Sequence, residues 1–123
     1  MTVAEANAVN DRAIEAKQAL LARLDVLSIG ASEADSFNIV RQRDAVTADL
    51  HIQQILQVRL TAASVVVTPL TEEERVHLDQ RARLLNDAII SNSIAEADLT
   101  FVTQLTAAAR GIGNLLDKHT SPS

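Results

Sequence analysis

The chain has no cysteine, no tryptophan and no tyrosine; it has three glycines, two prolines and two aromatic residues, Phe37 and Phe101. Without cysteine there are no disulfides and no thiolate metal sites, a composition that suits a reducing compartment. Without Trp or Tyr the chain lacks the side chains that most often anchor protein interfaces, stack on bases or line cofactor pockets. Positive charge is also scarce. The net charge is −5 at pH 7 and the acids are spread evenly, so no basic patch exists to neutralise a phosphate backbone, which argues against nucleic-acid binding. The longest uncharged stretch, Leu60 to Thr71, is too short to span a bilayer. Glu5, Asp11 and Glu15 occupy the region where a secretory signal needs an apolar core, so the expectation is a cytoplasmic protein without membrane insertion. Nine arginines against two lysines fit a GC-rich bacterial coding bias.

What the chain does have is aliphatic residues in helical rhythm. Hydrophobic residues make up 47% of the sequence, so the core must be built from Leu, Ile, Val and Ala. A chain of 123 residues supports one such core, burying roughly two thirds of the surface that the unfolded chain exposes. The sparse Gly and Pro divide it into four segments with a period near 3.6. The first, about Val3 to Ile29, places Val9, Ala13, Ala16, Leu20, Leu24 and Leu27 on one face and Asp11, Glu15, Gln18 and Asp25 opposite, with Gly30 as its stop. Ser32 caps a second helix expected to run to about Val66, ended by Thr68 and Pro69. Thr71 and Glu74 form a capping box for a third, whose apolar stripe is Leu78, Ala82, Leu85 and Ile89. Ser93 and Glu96 form a second box, expected to open a fourth helix that reaches about Lys118 along Phe101, Val102, Leu105, Ala109, Ile112 and Leu116.

Within that fourth segment, Gly111 and Gly113 each cost about 1 kcal/mol relative to Ala, so fraying or bending is expected there. The β-branched run Val65 to Val67 has the composition of a strand, but no partner strand is evident and helix is the preferred assignment. The reading is an all-α protein: a four-helix bundle, antiparallel, with a long second helix, the alternative being an extended array of helical hairpins. One domain covers residues 1–119, and residues 120–123 are a disordered tail.

Catalytic patterns are lacking. There is no G-x-S-x-G, and the glycine pair at 111 and 113 lies late in a helix rather than after a strand. Glu74 and His77 have the carboxylate–histidine spacing of carboxylate-bridged di-metal bundles, but the motif occurs once where such bundles use it twice, and Glu74 already has a capping role. No cofactor is therefore expected, and Glu74 with His77 is the metal alternative. The three acids Glu72 to Glu74 are accounted for by the positive end of a helix dipole.

The most informative stretch is Leu50 to Val67. On a helical wheel its Val, Ile, Leu and Ala residues occupy well over half the circumference, wider than a bundle helix needs, and Arg59 is its only fixed charge. A helix apolar nearly all round is either the centre of a large core or packed by a second chain, and a chain this short makes only a limited core. This points to a homo-oligomer, a dimer, with Gln53, Gln57, Arg59, Leu60 and Ser64 as interface candidates and Arg59 paired with an acid from either chain; if the segment is instead the most buried helix of a monomer, Arg59 needs a buried acid such as Asp79 or Asp87. The functional expectation is a non-enzymatic interaction module. It self-associates or binds one protein partner, as adaptors, secretion accessories and small antitoxin-like inhibitors do. A metal-dependent bundle enzyme or metal carrier is the alternative.

Overall fold

A computed structural model describes residues 1–122. Four helices pack against one another, α1 (Val3–Leu27), α2 (Glu33–Thr61), α3 (Glu72–Ile90) and α4 (Leu99–His119), and the chain is an all-α four-helix bundle. Each begins at a side-chain cap: Thr2, Ser32, Thr71 and Asp98 each accept a hydrogen bond from the backbone N–H three residues on, and of these Ser32 and Thr71 are legible in the sequence. At Thr71 the box is reciprocal, with Glu74 returning a carboxylate oxygen to the Thr71 N–H at 3.0 Å.

Cross-links between helices fix their directions. Asn10 reaches the Gln53 carbonyl and Asp25 reaches Arg43, so α1 and α2 run antiparallel. The Arg23 Nε–H donates to the Ala97 carbonyl just before α4, and Lys118 near the end of α4 meets Glu74 near the start of α3, so α4 is antiparallel to both α1 and α3. The main contacts join α1 to α2, α1 to α4 and α3 to α4. The α1–α4 pair is thus the middle of the bundle, with α2 and α3 on opposite sides of it. The core follows the sequence stripes: Ala13, Ala16, Leu20 and Leu24 of α1, Leu78 and Leu85 of α3, and Val102, Leu105, Ala109, Ile112 and Leu116 of α4 are buried.

Four expectations need correction. First, α2 stops at Thr61 rather than near Val66. Ala63 adopts a left-handed conformation (φ 52°), and the Ser64 N–H folds back to the Arg59 carbonyl at 2.9 Å, closing the helix end. Second, Val65–Val67 is a strand, β1, paired antiparallel with β2 (Thr120–Pro122), in the register Val65 with Pro122 and Val67 with Thr120. The expected tail at 120–122 is therefore ordered as the partner strand; Ser123 lies outside the described residues. Third, the Ser93 box does not form. Residues Ser93–Glu96 make a 3₁₀ turn that buries Ile94, the Ser93 hydroxyl donates to the Ala88 carbonyl, and α4 opens at Asp98, whose carboxylate accepts from the Phe101 N–H at 2.8 Å. Fourth, α4 runs unbroken through Gly111 and Gly113. These glycines serve packing: a Cβ at position 111 would meet the Arg81 guanidinium at under 3 Å.

No helix among the described residues is long and apolar enough to cross a membrane.

Candidate interaction face

Helix α2 is apolar on two sides. Its inner side contributes Ile39, Val46, Leu56 and Leu60 to the core. Its outer side carries Phe37, Val40, Ile52, Ile55 and Val58, all exposed, with Val58 at 69% and Phe37 at 67% of their free surface. The cause is architectural: a helix flanking the central pair is covered on one side only, whereas its sequence is hydrophobic around most of its circumference in the second half. Val66 of β1 is also exposed.

Charged residues punctuate the outer face. The Arg41 guanidinium lies 5.8 Å from the Phe37 ring centroid, a cation–π distance. Asp44 and Arg59, 15 positions apart on the same side of the helix, are both exposed, and neither joins an ion pair among the described residues. A shallow cleft of about 250 Å³ beside Arg59 is lined by Ile52, Ile55, Leu56 and Val65 with Asp117 and the β2 residues.

The interface candidates from the sequence divide between the interior and this surface. Gln53 is 2% exposed, and its carbonyl accepts from Asn10 Nδ2 at 2.9 Å. Leu60 is likewise in the core. Neither side chain is free to meet a second molecule. Gln57 is half-buried and donates to Asp11 Oδ1 at 2.7 Å, joining α2 to α1. Arg59 and Ser64 are exposed, the Ser64 hydroxyl donating to the Arg59 carbonyl at 3.2 Å. Arg59 is not a buried ion: it pairs with neither Asp79 nor Asp87, because the left-handed turn at Ala63 keeps the end of α2 at the surface. The exposed apolar residues that lie alongside it are Ile52, Ile55 and Val58.

The metal alternative fares differently from its motif. His77 is exposed and makes no contact with the Glu74 carboxylate. Glu74 instead meets His119 of α4, Oε2 lying 2.8 Å from Nε2, and Lys118 Nζ at 3.1 Å. His119 is buried, and its Nδ1 lies 2.9 Å from the Thr68 hydroxyl. The hydrogen bond from His119, the Thr71 N–H and the Lys118 ammonium together hold the Glu74 carboxyl down at about 2. Nothing in the sequence pairs positions 74 and 119; the antiparallel packing of α3 on α4 brings them together. The chain of Glu74, His119 and Thr68 has the order of an acid–base–nucleophile relay. The Thr68 hydroxyl is, however, also within 3.3 Å of the His119 carbonyl, and the Thr68 N–H donates to that same carbonyl. The cluster is a clasp holding the β1–α3 connection to the end of α4. Among the described residues no group of three or more His, Asp or Glu side chains is arranged to hold a metal ion.

Comparison with family models finds no match, and neither the curated proteins nor the solved structures yield a significant relative.

Proposed function

We propose that this chain is a non-enzymatic helical interaction module that self-associates as a dimer through the outer face of α2. The observation that carries this reading is the row of exposed Phe37, Val40, Ile52, Ile55 and Val58 on a helix whose opposite side is already committed to the core. Clusters of exposed large apolar side chains on one helix face mark sites of association.

The charges on that face favour a second copy of the chain as occupant. In a two-fold, antiparallel crossing of α2 on α2 centred between His51 and Ile52, Asp44 of each copy stands opposite Arg59 of the other. Ala48 then faces Ile55, a small residue against a large one. The Asp44–Arg59 pair is made twice by symmetry, as an isologous interface requires. With 29 residues at 1.5 Å each, α2 is about 43 Å long, enough for a standard-size interface of about 1,600 Å² in total. The cysteine-free composition is consistent with a cytoplasmic setting.

Light scattering of the eluting protein tests both the face and the register. Arg59→Asp places two acids opposite each other and weakens the dimer; Asp44→Arg does the same with two bases. Combining the two restores opposite charges and dimerisation. If the double variant is no better than the singles, the antiparallel register is wrong; if Ile55→Glu leaves assembly unchanged, the face is wrong.

A further inference from the structure

The densest group of unpartnered polar atoms lies inside the bundle, between α1, α2 and α4. Lys17 of α1 has no exposed surface, yet its ammonium has no hydrogen-bond partner. The Gln53 side chain, 2% exposed, likewise has both its amide nitrogen and its amide oxygen unpartnered. Both groups line a cavity of about 60 Å³ that is also bounded by Ile52, Leu56 and Gly113, with Asp49, Arg110 and Asp117 toward the surface.

Gly113 makes the space. A Cβ there would stand 3.4 Å from Gln53 Nε2 and 3.6 Å from Lys17 Nζ, so two donor groups converge on the point that the glycine leaves open. The charges around the cavity do not cancel evenly along its depth. Asp49 Oδ2 is 2.9 Å from Arg110 Nε, so these two offset each other, and Asp117 is exposed at the rim. At the inner end the Lys17 ammonium has no hydrogen-bond partner and is compensated only in part by the nearby Asp49 charge, which Arg110 shares. A buried cation without a partner costs several kcal/mol of desolvation, which an anion in contact with it would offset.

We propose that this cavity binds a small monocarboxylate of the size of formate or acetate, with Lys17 Nζ as its counter-ion and Gln53 Nε2 as the second donor. The two oxygens of a carboxylate accept from both groups at once. The volume, about that of four to six water-sized sites, accommodates an acid of this size. The carboxylates of Asp49 and Asp117 disfavour dianions. None of this depends on self-association, since the donors face the bundle interior.

Thermal melts of the whole protein at pH 7, titrated with sodium formate or acetate, test the site, with chloride and sulfate at matched ionic strength as controls. The expected result is a saturable rise in Tm with formate or acetate in the parent chain, lost in Lys17→Met and weakened in Gly113→Ala. Lys17→Met is expected to keep the helical circular dichroism spectrum, since methionine fills the same apolar path. Should it fail to fold, the side-chain amide resonances of Gln53 in the parent carry the test: they shift saturably with formate. A Tm rise that is unsaturable, equal with sulfate or undiminished in folded Lys17→Met overturns the proposal, as does an absence of saturable Gln53 shifts. A response to chloride equal to that to formate overturns the carboxylate assignment.

Discussion

At the scale of single residues, two ionisable groups couple the fold to pH in two separate windows. Glu74 is held near 2 against an ordinary 4.5 by His119, the Thr71 N–H and Lys118. Its carboxylate therefore contributes stability that is fully present above 4.5 and is lost as the pH falls toward 2. Glu74→Gln lowers stability at neutral pH, and the gap from the parent chain narrows across that acid window. A gap independent of pH in urea melts would show that the clasp does not act through charge. At Lys17 the fold disfavours the charged form instead of favouring it. Burial lowers it from 10.5 to about 8, opposed by the nearby Asp49 charge. Between those values the unfolded chain binds more protons than the folded one, so stability rises as pH rises through that window. Lys17→Met removes this dependence and stabilises the protein at pH 7 by about 1 kcal/mol or more, as replacement of a poorly compensated buried ion by an apolar side chain does. A destabilised but folded Lys17→Met would mean that the ammonium has a partner in solution.

A third residue stores backbone strain. Ala63 sits at φ 52°, in a region that costs an L-residue with a Cβ roughly 1–2 kcal/mol. Ala63→Gly relieves that cost at the expense of some unfolded-state entropy, leaving a net stabilisation of about 0.5–1 kcal/mol in thermal or urea unfolding.

At the scale of elements, the stripes of α1, α3 and α4 were legible because each pairs one apolar face with one polar face. Leu105 illustrates this: it lies on the stripe read from spacing and is fully buried. Leu105→Ala is expected to cost about 2–5 kcal/mol in urea unfolding, through lost contacts and a residual cavity. The end of α2 was not legible, because no glycine or asparagine marks the left-handed turn that an alanine makes at position 63. Nor was the β1–β2 pair. Thr120 to Pro122 has no strand-like composition, and a ladder of three residues is set by where α4 delivers the chain, a tertiary effect. Lys17 escaped notice for a related reason. Its position falls on the buried stripe of α1, four residues after Ala13 and three before Leu20, but lysine is ordinarily assigned to solvent. In α2 the sequence indicated an excess of apolar surface, while the assignment of particular residues to the outside depended on the helix phase. Gln53 and Leu60 point inward, and Ile52, Ile55 and Val58 point outward.

At the scale of the whole molecule, the arrangement of α2 and α3 on either side of a central α1–α4 pair explains why one helix keeps an uncovered apolar face. Helix α3 also exposes Val76, Leu84 and Ile90, but intersperses them with the exposed charges Asp79, Arg83 and Asp87. Helix α2 has Asp44 and Arg59 on its outer face instead, spaced so that two antiparallel copies satisfy each other. The bundle so assembled would be a scaffold whose chemistry is association, with the Lys17 cavity as a separate small-anion site inside each subunit.

Sedimentation equilibrium of the parent chain and of Ile55→Glu, each over a range of concentrations, tests the dimer most directly. The account predicts a parent mass that approaches twice the 13.2 kDa of one chain and falls on dilution, and an Ile55→Glu variant that stays at the single-chain mass with its helical spectrum intact. A parent chain that remains at 13.2 kDa at every concentration would contradict it.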